Sequence, residues 1–196
     1  LKLYRAAAGL LGACALTTEI ATLIERGIFI PSNFFSFFTI QSNILAVCLL
    51  MYGALYGFTK VTTRSVQLLR GGVTLYMVMT GVIFAILLAG IEGATLTAVP
   101  WDNIVLHYIM PIVILFDWLA DTTKPHIAFR CAWVWLLFQL AYVAYSLIRG
   151  PIVNWYPYPF IDPTTSGYGA VTVTTIILAV GCLVVSWALC KTTKRV

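Results

Sequence analysis

The stretch YGAVTVTTIILAVGCLVVSWALC, residues 168–190, carries no charged side chain. A hydrocarbon core about 30 Å deep is crossed by roughly 20 mostly apolar residues in a helix, so this segment reads as a transmembrane span. Working back along the chain, five more stretches meet the same condition, near 4–25, 34–58, 70–91, 103–120 and 129–148. The expectation is an all-α, six-transmembrane-helix bundle forming a single domain over residues 1–196. Composition agrees, with 61% hydrophobic and only 10% charged residues, where soluble domains carry about a quarter charged.

The net charge of +5 does not point to nucleic acid, because no dense basic cluster with interleaved aromatics is present. It reads as a topology signal. With the N-terminus in the cytoplasm, ten Lys and Arg fall inside and only Arg26 and Arg149 outside, a positive-inside bias that predicts both termini in. The first apolar run follows Lys2 and Arg5 as a signal peptide would. It continues to about Leu23 with no polar break after a cleavage site, so it is read as a retained helix. The five cysteines fall in or beside apolar runs without a C-x-x-C pair and read as inert thiols. The long connection RGPIVNWYPYPFIDPTTSGY, 149–168, reads as an ordered cap at the interface, where Trp and Tyr prefer to sit.

Polar groups inside a span are costly, so their positions carry the functional information. The first span carries Glu19 near its outer end. The second carries Ser36, Thr39, Gln41 and Asn43, with Ser36, Thr39 and Asn43 spaced to share one helix face. The fourth carries Asn103 and, one turn on, His107. At 1.5 Å of rise per residue, Glu19, Thr39 and His107 all lie roughly 6 to 10 Å below the outer boundary. Pro111 removes the donor to the His107 carbonyl, which predicts a kink and a freed carbonyl beside the imidazole. One membrane histidine is too few for a zinc hydrolase, no G-x-S-x-G elbow or phosphate-binding glycine loop is present, and neither metal nor cofactor is expected. A hydroxyl nucleophile with a general base remains, and Thr39 with His107 is the pair at matching depth.

These segments resemble the androgen-induced family of multi-pass membrane hydrolases and its bacterial relatives. FFSFFTIQSNILA resembles the family's F-L-T-F stretch, whose threonine is Thr39 here. WDNIVLHYIMPIVILFDW resembles its Asn, three residues, His and Pro pattern, which puts His107 on the functional histidine, and Tyr158, Pro159 and Phe160 resemble its Y-P-F. The spacing from His107 to Pro111 is one residue shorter than in animal members. The resemblance implies hydrolysis of fatty acid esters of hydroxy fatty acids by a threonine nucleophile assisted by histidine, with a membrane lipid ester as partner and a bacterial inner membrane as location. Glu19 is a candidate for orienting His107, and Gln41, Asn43 or Asn103 for donating to the oxyanion. Two other readings stand beside this one. In a non-catalytic lipid-binding or scaffold protein the same polar residues are packing glue. In a small transporter they would continue to the cytoplasm, for which Asp117 is the main hint.

Overall fold

The computed structural model describes residues 1–58, 63–89, 97–122 and 124–193. Six long helices cross the bundle: α1 Lys2–Glu25, α2 Phe38–Leu55, α3 Arg64–Leu88, α4 Pro100–Ala120, α5 Phe129–Val153 and α6 Pro163–Lys191. The protein is an all-α, multi-pass membrane protein. Lys60, Lys194 and Arg195, counted among the inner charges, lie outside the described residues. The most enclosed helix is α3, packed on α2, α4 and α5, while α6 leans on α5 and α3 and turns most of its length outward. In a bilayer an outward apolar face meets lipid tails, so it needs no protein cover.

Two boundaries depart from the sequence reading, those of the second and fourth spans. The second span does not begin at Phe34. A single helical turn, Pro31–Phe34, is followed by extended backbone at Phe37, and α2 starts at Phe38. Four phenylalanines in five positions send their rings to different places: Phe34 against Phe29, Phe37 against Trp155 and Tyr158, Phe38 among Tyr76, Phe138 and Tyr142. The Tyr142 hydroxyl donates to the Ser36 carbonyl at 3.0 Å. These tertiary contacts override the helical spacing, and Ser36 leaves the face it was expected to share with Thr39 and Asn43. The fourth begins three residues early, at Pro100, so Asp102, just outside the span read from the sequence, is fully buried in its first turn. The last span keeps its expected start: a short turn from Pro163, where the Asp162 carboxylate caps the Thr164 amide at 2.8 Å, breaks at Gly167 (φ +77°), and the continuous helix follows from Tyr168.

The predicted kink at Pro111 takes the form of a π-helical turn, Val105–Ile109, directly before the proline. Widening the helix here is a common response to a broken hydrogen-bond ladder. A second π turn, Phe84–Leu88, closes α3. The two meet, and the Phe84 and His107 rings stack with centroids 4.1 Å apart. Gly81 permits the approach, since a Cβ there would stand 3.1 Å from the Pro111 ring and 3.4 Å from the His107 carbonyl oxygen. That carbonyl therefore faces α3. At the other end of α2, Gly53 makes room for the Phe58 ring and Arg5, and Gly57, at φ +74°, turns the chain after the helix.

At the end of the bundle where α1 begins, the inner end by the charge bias of the sequence, Arg5 donates to Asp117 at 2.5 Å, Arg70 to Asp117 at 3.2 Å and Arg70 to Asp121 at 2.6 Å. Gln67 accepts from Arg70, and both guanidinium groups lie on the Phe58 ring. The Lys124 ammonium donates to the Trp118 and Asp121 carbonyls. Arg5, Arg70 and Lys124 are thus buried partners in the bundle rather than solvated cytoplasmic charges. Asp117, the hint of a transport path, is held between two arginines of α1 and α3.

Candidate active site

Thr39 is the second residue of α2, and the late start of that helix gives its position meaning. The first amides of a helix have no intrahelical acceptor, so the Thr39 N–H is available to something outside the helix. It donates to the Tyr158 hydroxyl at 3.2 Å. That phenol comes from the connection between α5 and α6 and reaches the first turn of α2 because its ring is clamped, stacked on Phe160 at 5.1 Å and edge-on to Phe37 at 5.6 Å. The Tyr158 hydroxyl is also 3.2 Å from Thr39 Oγ1, and Thr39 Oγ1 is 3.3 Å from His107 Nε2.

The protons in this cluster can be assigned by following donors. His107 Nδ1 lies 3.1 Å from the Asn103 carbonyl, which only accepts, so Nδ1 carries the hydrogen and Nε2 is left as an acceptor. The Thr39 hydroxyl can then donate to Nε2, the Tyr158 hydroxyl to Thr39 Oγ1, and the Thr39 amide to the Tyr158 oxygen. All four bonds point the same way without a conflict. Burial pushes the Tyr158 phenol above its usual pKa, which keeps its proton in place as a donor. The imidazole is fixed on three sides, by Thr39, by the Asn103 carbonyl and by the Phe84 ring.

Thr39 and His107, paired by depth in the sequence, are therefore neighbours in space. The supporting residues are not those expected. Glu19 does not touch His107; both its oxygens accept from the Ala98 amide, at 2.9 and 2.8 Å, while Arg26 holds the Ala98 carbonyl at 3.0 Å. It ties α1 to the segment that starts α4, with the Asp102 carboxyl beside it. The orienting acceptor on His107 is instead the main chain of Asn103. Asn43 spends its amide on the Thr39 and Leu106 carbonyls, at 2.9 and 3.1 Å, and so has no donor for an oxyanion. Gln41 faces away and donates to the Phe35 carbonyl. The donors that do stand at Thr39 are its own amide and Tyr158. Tyr145 bonds Ser36 at 2.8 Å, and Tyr168 and Thr172 lie on the outer face of α6.

Two cavities meet at the cluster. The more polar one, about 280 Å³, sets Glu19, Arg26, Asn33, Thr39 and His107 among apolar walls such as Leu23, Ile28, Phe34 and Leu106, with Trp155 and Tyr158 at its edge. A smaller one, about 80 Å³ and almost wholly apolar, lies between α2, α3, α5 and α6, and Thr39 and Tyr158 are the residues common to both. Trp155 is steadied by Arg149, which stacks over its ring and donates to Asn33 at 2.6 Å. The expected interfacial cap thus has an anchored aromatic end.

Compared with family models, with curated proteins and with solved structures, the chain matches none.

Proposed function

We propose that the protein is an integral membrane lipid esterase that cleaves fatty acid esters, such as those of hydroxy fatty acids, in a bacterial cytoplasmic membrane. The observation that carries this reading is the directed chain from Tyr158 through Thr39 to His107, set in the wall of a cavity large enough for part of a lipid. His107 Nε2 takes the hydroxyl proton as Thr39 Oγ1 attacks the ester carbonyl. The donors nearest the negative charge developing on the carbonyl oxygen are the Tyr158 hydroxyl and the Thr39 amide, which exchange their resting bonds to Thr39 Oγ1 and to the phenol oxygen for bonds to the substrate as Oγ1 attacks. A nucleophile's own amide is a recurrent oxyanion donor, and one such donor is worth roughly 3 to 4 kcal/mol in the transition state. His107 returns the proton to the leaving alcohol, and water, activated by the same nitrogen, then cleaves the acyl-threonine. The resemblance to the androgen-induced hydrolase family rests on these same residues and supports the same chemistry.

The test is labelling of the detergent-purified protein with a fluorophosphonate probe, comparing wild type with Thr39→Ala and His107→Ala after size-exclusion profiles show all three folded. Labelling of wild type that disappears in both variants is expected. A folded wild type that takes no label and turns over no lipid ester would leave the cluster with a binding or packing role.

A further inference from the structure

The two cavities at Thr39 differ in chemistry, and the position of His107 decides which half of an ester enters which. His107 lines the polar cavity and is absent from the walls of the apolar one. Resting on the esterase reading above, we propose that the groove between α2, α3, α5 and α6 binds the acyl chain and that the polar cavity receives the alcohol half.

The argument is one of proton placement. When Thr39 Oγ1 bonds to the carbonyl carbon, the carbon–oxygen bond to the alcohol breaks, and the alkoxide must receive the proton held on Nε2. The leaving oxygen therefore departs on the side of His107. The water of the second step must give a proton to the same nitrogen and approaches from that side also. The acyl substituent, still attached to the carbonyl carbon, is left to the opposite side of Thr39. What lies there is the groove lined by Phe38, Met79, Leu136, Leu178, Ala179 and Cys182, a surface suited to a hydrocarbon chain and to nothing charged.

The groove also explains how a chain longer than the cavity is accommodated. Leu140, one of its walls on α5, is 49% exposed on the lipid face of the bundle. The far end of a long acyl chain leaves between α5 and α6 into the bilayer, where tails are already solvated. The polar cavity offers Glu19, Arg26 and Asn33 to the alcohol half, and its wall ends at the interfacial Trp155.

Ala179 is the position at which to obstruct the groove. Two measurements on wild type and Ala179→Trp separate this proposal from the catalytic one. In the first, a long-chain fatty acid with a diazirine in the middle of its chain is photo-crosslinked to each purified protein and the adducts are mapped. Wild-type adducts on Leu140, Val143 or Leu178 that fall roughly tenfold in Ala179→Trp are expected. Adducts concentrated on Ile28, Phe34 or Leu106, or unaffected by the substitution, would overturn the assignment. In the second, turnover of a hexadecanoate ester is compared with that of a butanoate ester of the same alcohol. The ratio falls roughly tenfold or more in Ala179→Trp if the groove holds the acyl chain. An unchanged ratio with active enzyme refutes the groove and leaves the esterase standing. Groove adducts in a protein that turns over neither ester refute the esterase and leave a lipid-binding groove.

Discussion

The inner and outer ends of the bundle both bury polar groups, and they do so by opposite rules. At the inner end, Arg5, Arg70, Asp117 and Asp121 pair charge with charge, and both guanidinium groups lie over the Phe58 ring. At the outer end, Thr39, His107 and Tyr158 are linked by neutral hydrogen bonds of 3.2 to 3.3 Å beside open volume. An ion-pair network that spans three helices holds them in place. A looser neutral chain next to a cavity has room for a further reactant. The contrast separates glue from chemistry within one protein, a distinction that depth and residue type alone do not make.

The largest effect should come from breaking the inner end. Asp117→Ala removes the carboxylate that bridges α1 and α3 and leaves two buried guanidinium groups short of a partner, at a cost of about 3 to 5 kcal/mol. Thermal melting in detergent should show a pronounced loss of stability, or no monodisperse protein at all. A variant that melts like wild type would put the inner network on the same footing as surface charge. Next is Tyr158→Phe, which keeps the ring packing on Phe37 and Phe160 and removes the hydroxyl. Ester turnover should fall by about 100- to 1,000-fold, the effect of deleting an oxyanion donor, with little change in melting. A drop under fivefold would assign Tyr158 to packing and leave the Thr39 amide as the sole donor. The smallest effect belongs to Glu19→Gln, which retains an acceptor for the Ala98 amide. Stability should change by about 1 kcal/mol or less, and turnover by roughly threefold at most; a hundredfold loss would restore Glu19 as the partner that tunes His107.

Much of the architecture was legible because bilayer thickness and helix rise leave few alternatives for apolar runs of this length. The Thr39 and His107 pair was legible for a related reason: counting residues from the expected outer ends put the two side chains at one level, although α2 itself starts only at Phe38. Angle around the helix and the exact helix start are not fixed that way. Glu19 lies at the right depth yet reaches Ala98, and Gln41, two residues from Thr39, points to Phe35. The late start of α2 depends on Phe34, Phe37 and Phe38 finding separate partners from distant helices, so no local pattern announces it. Tyr158 was quoted as part of a loop motif, but its descent onto Thr39 follows from stacking with Phe160 and Phe37, contacts that exist only after the chain has folded. The same holds for Phe84, whose place beside His107 depends on two π turns meeting.

The hydrogen bond behind the imidazole has a consequence for where protons can go. The Asn103 carbonyl that accepts from Nδ1 has no hydrogen to hand on, so His107 ends the chain rather than linking two parts of it. Whatever Nε2 collects from Thr39 must be given back through Nε2, to the same small volume it came from. The histidine is a lender with a single counter, and a residue wired in this way can assist the making and breaking of a bond beside it without passing a proton across the membrane.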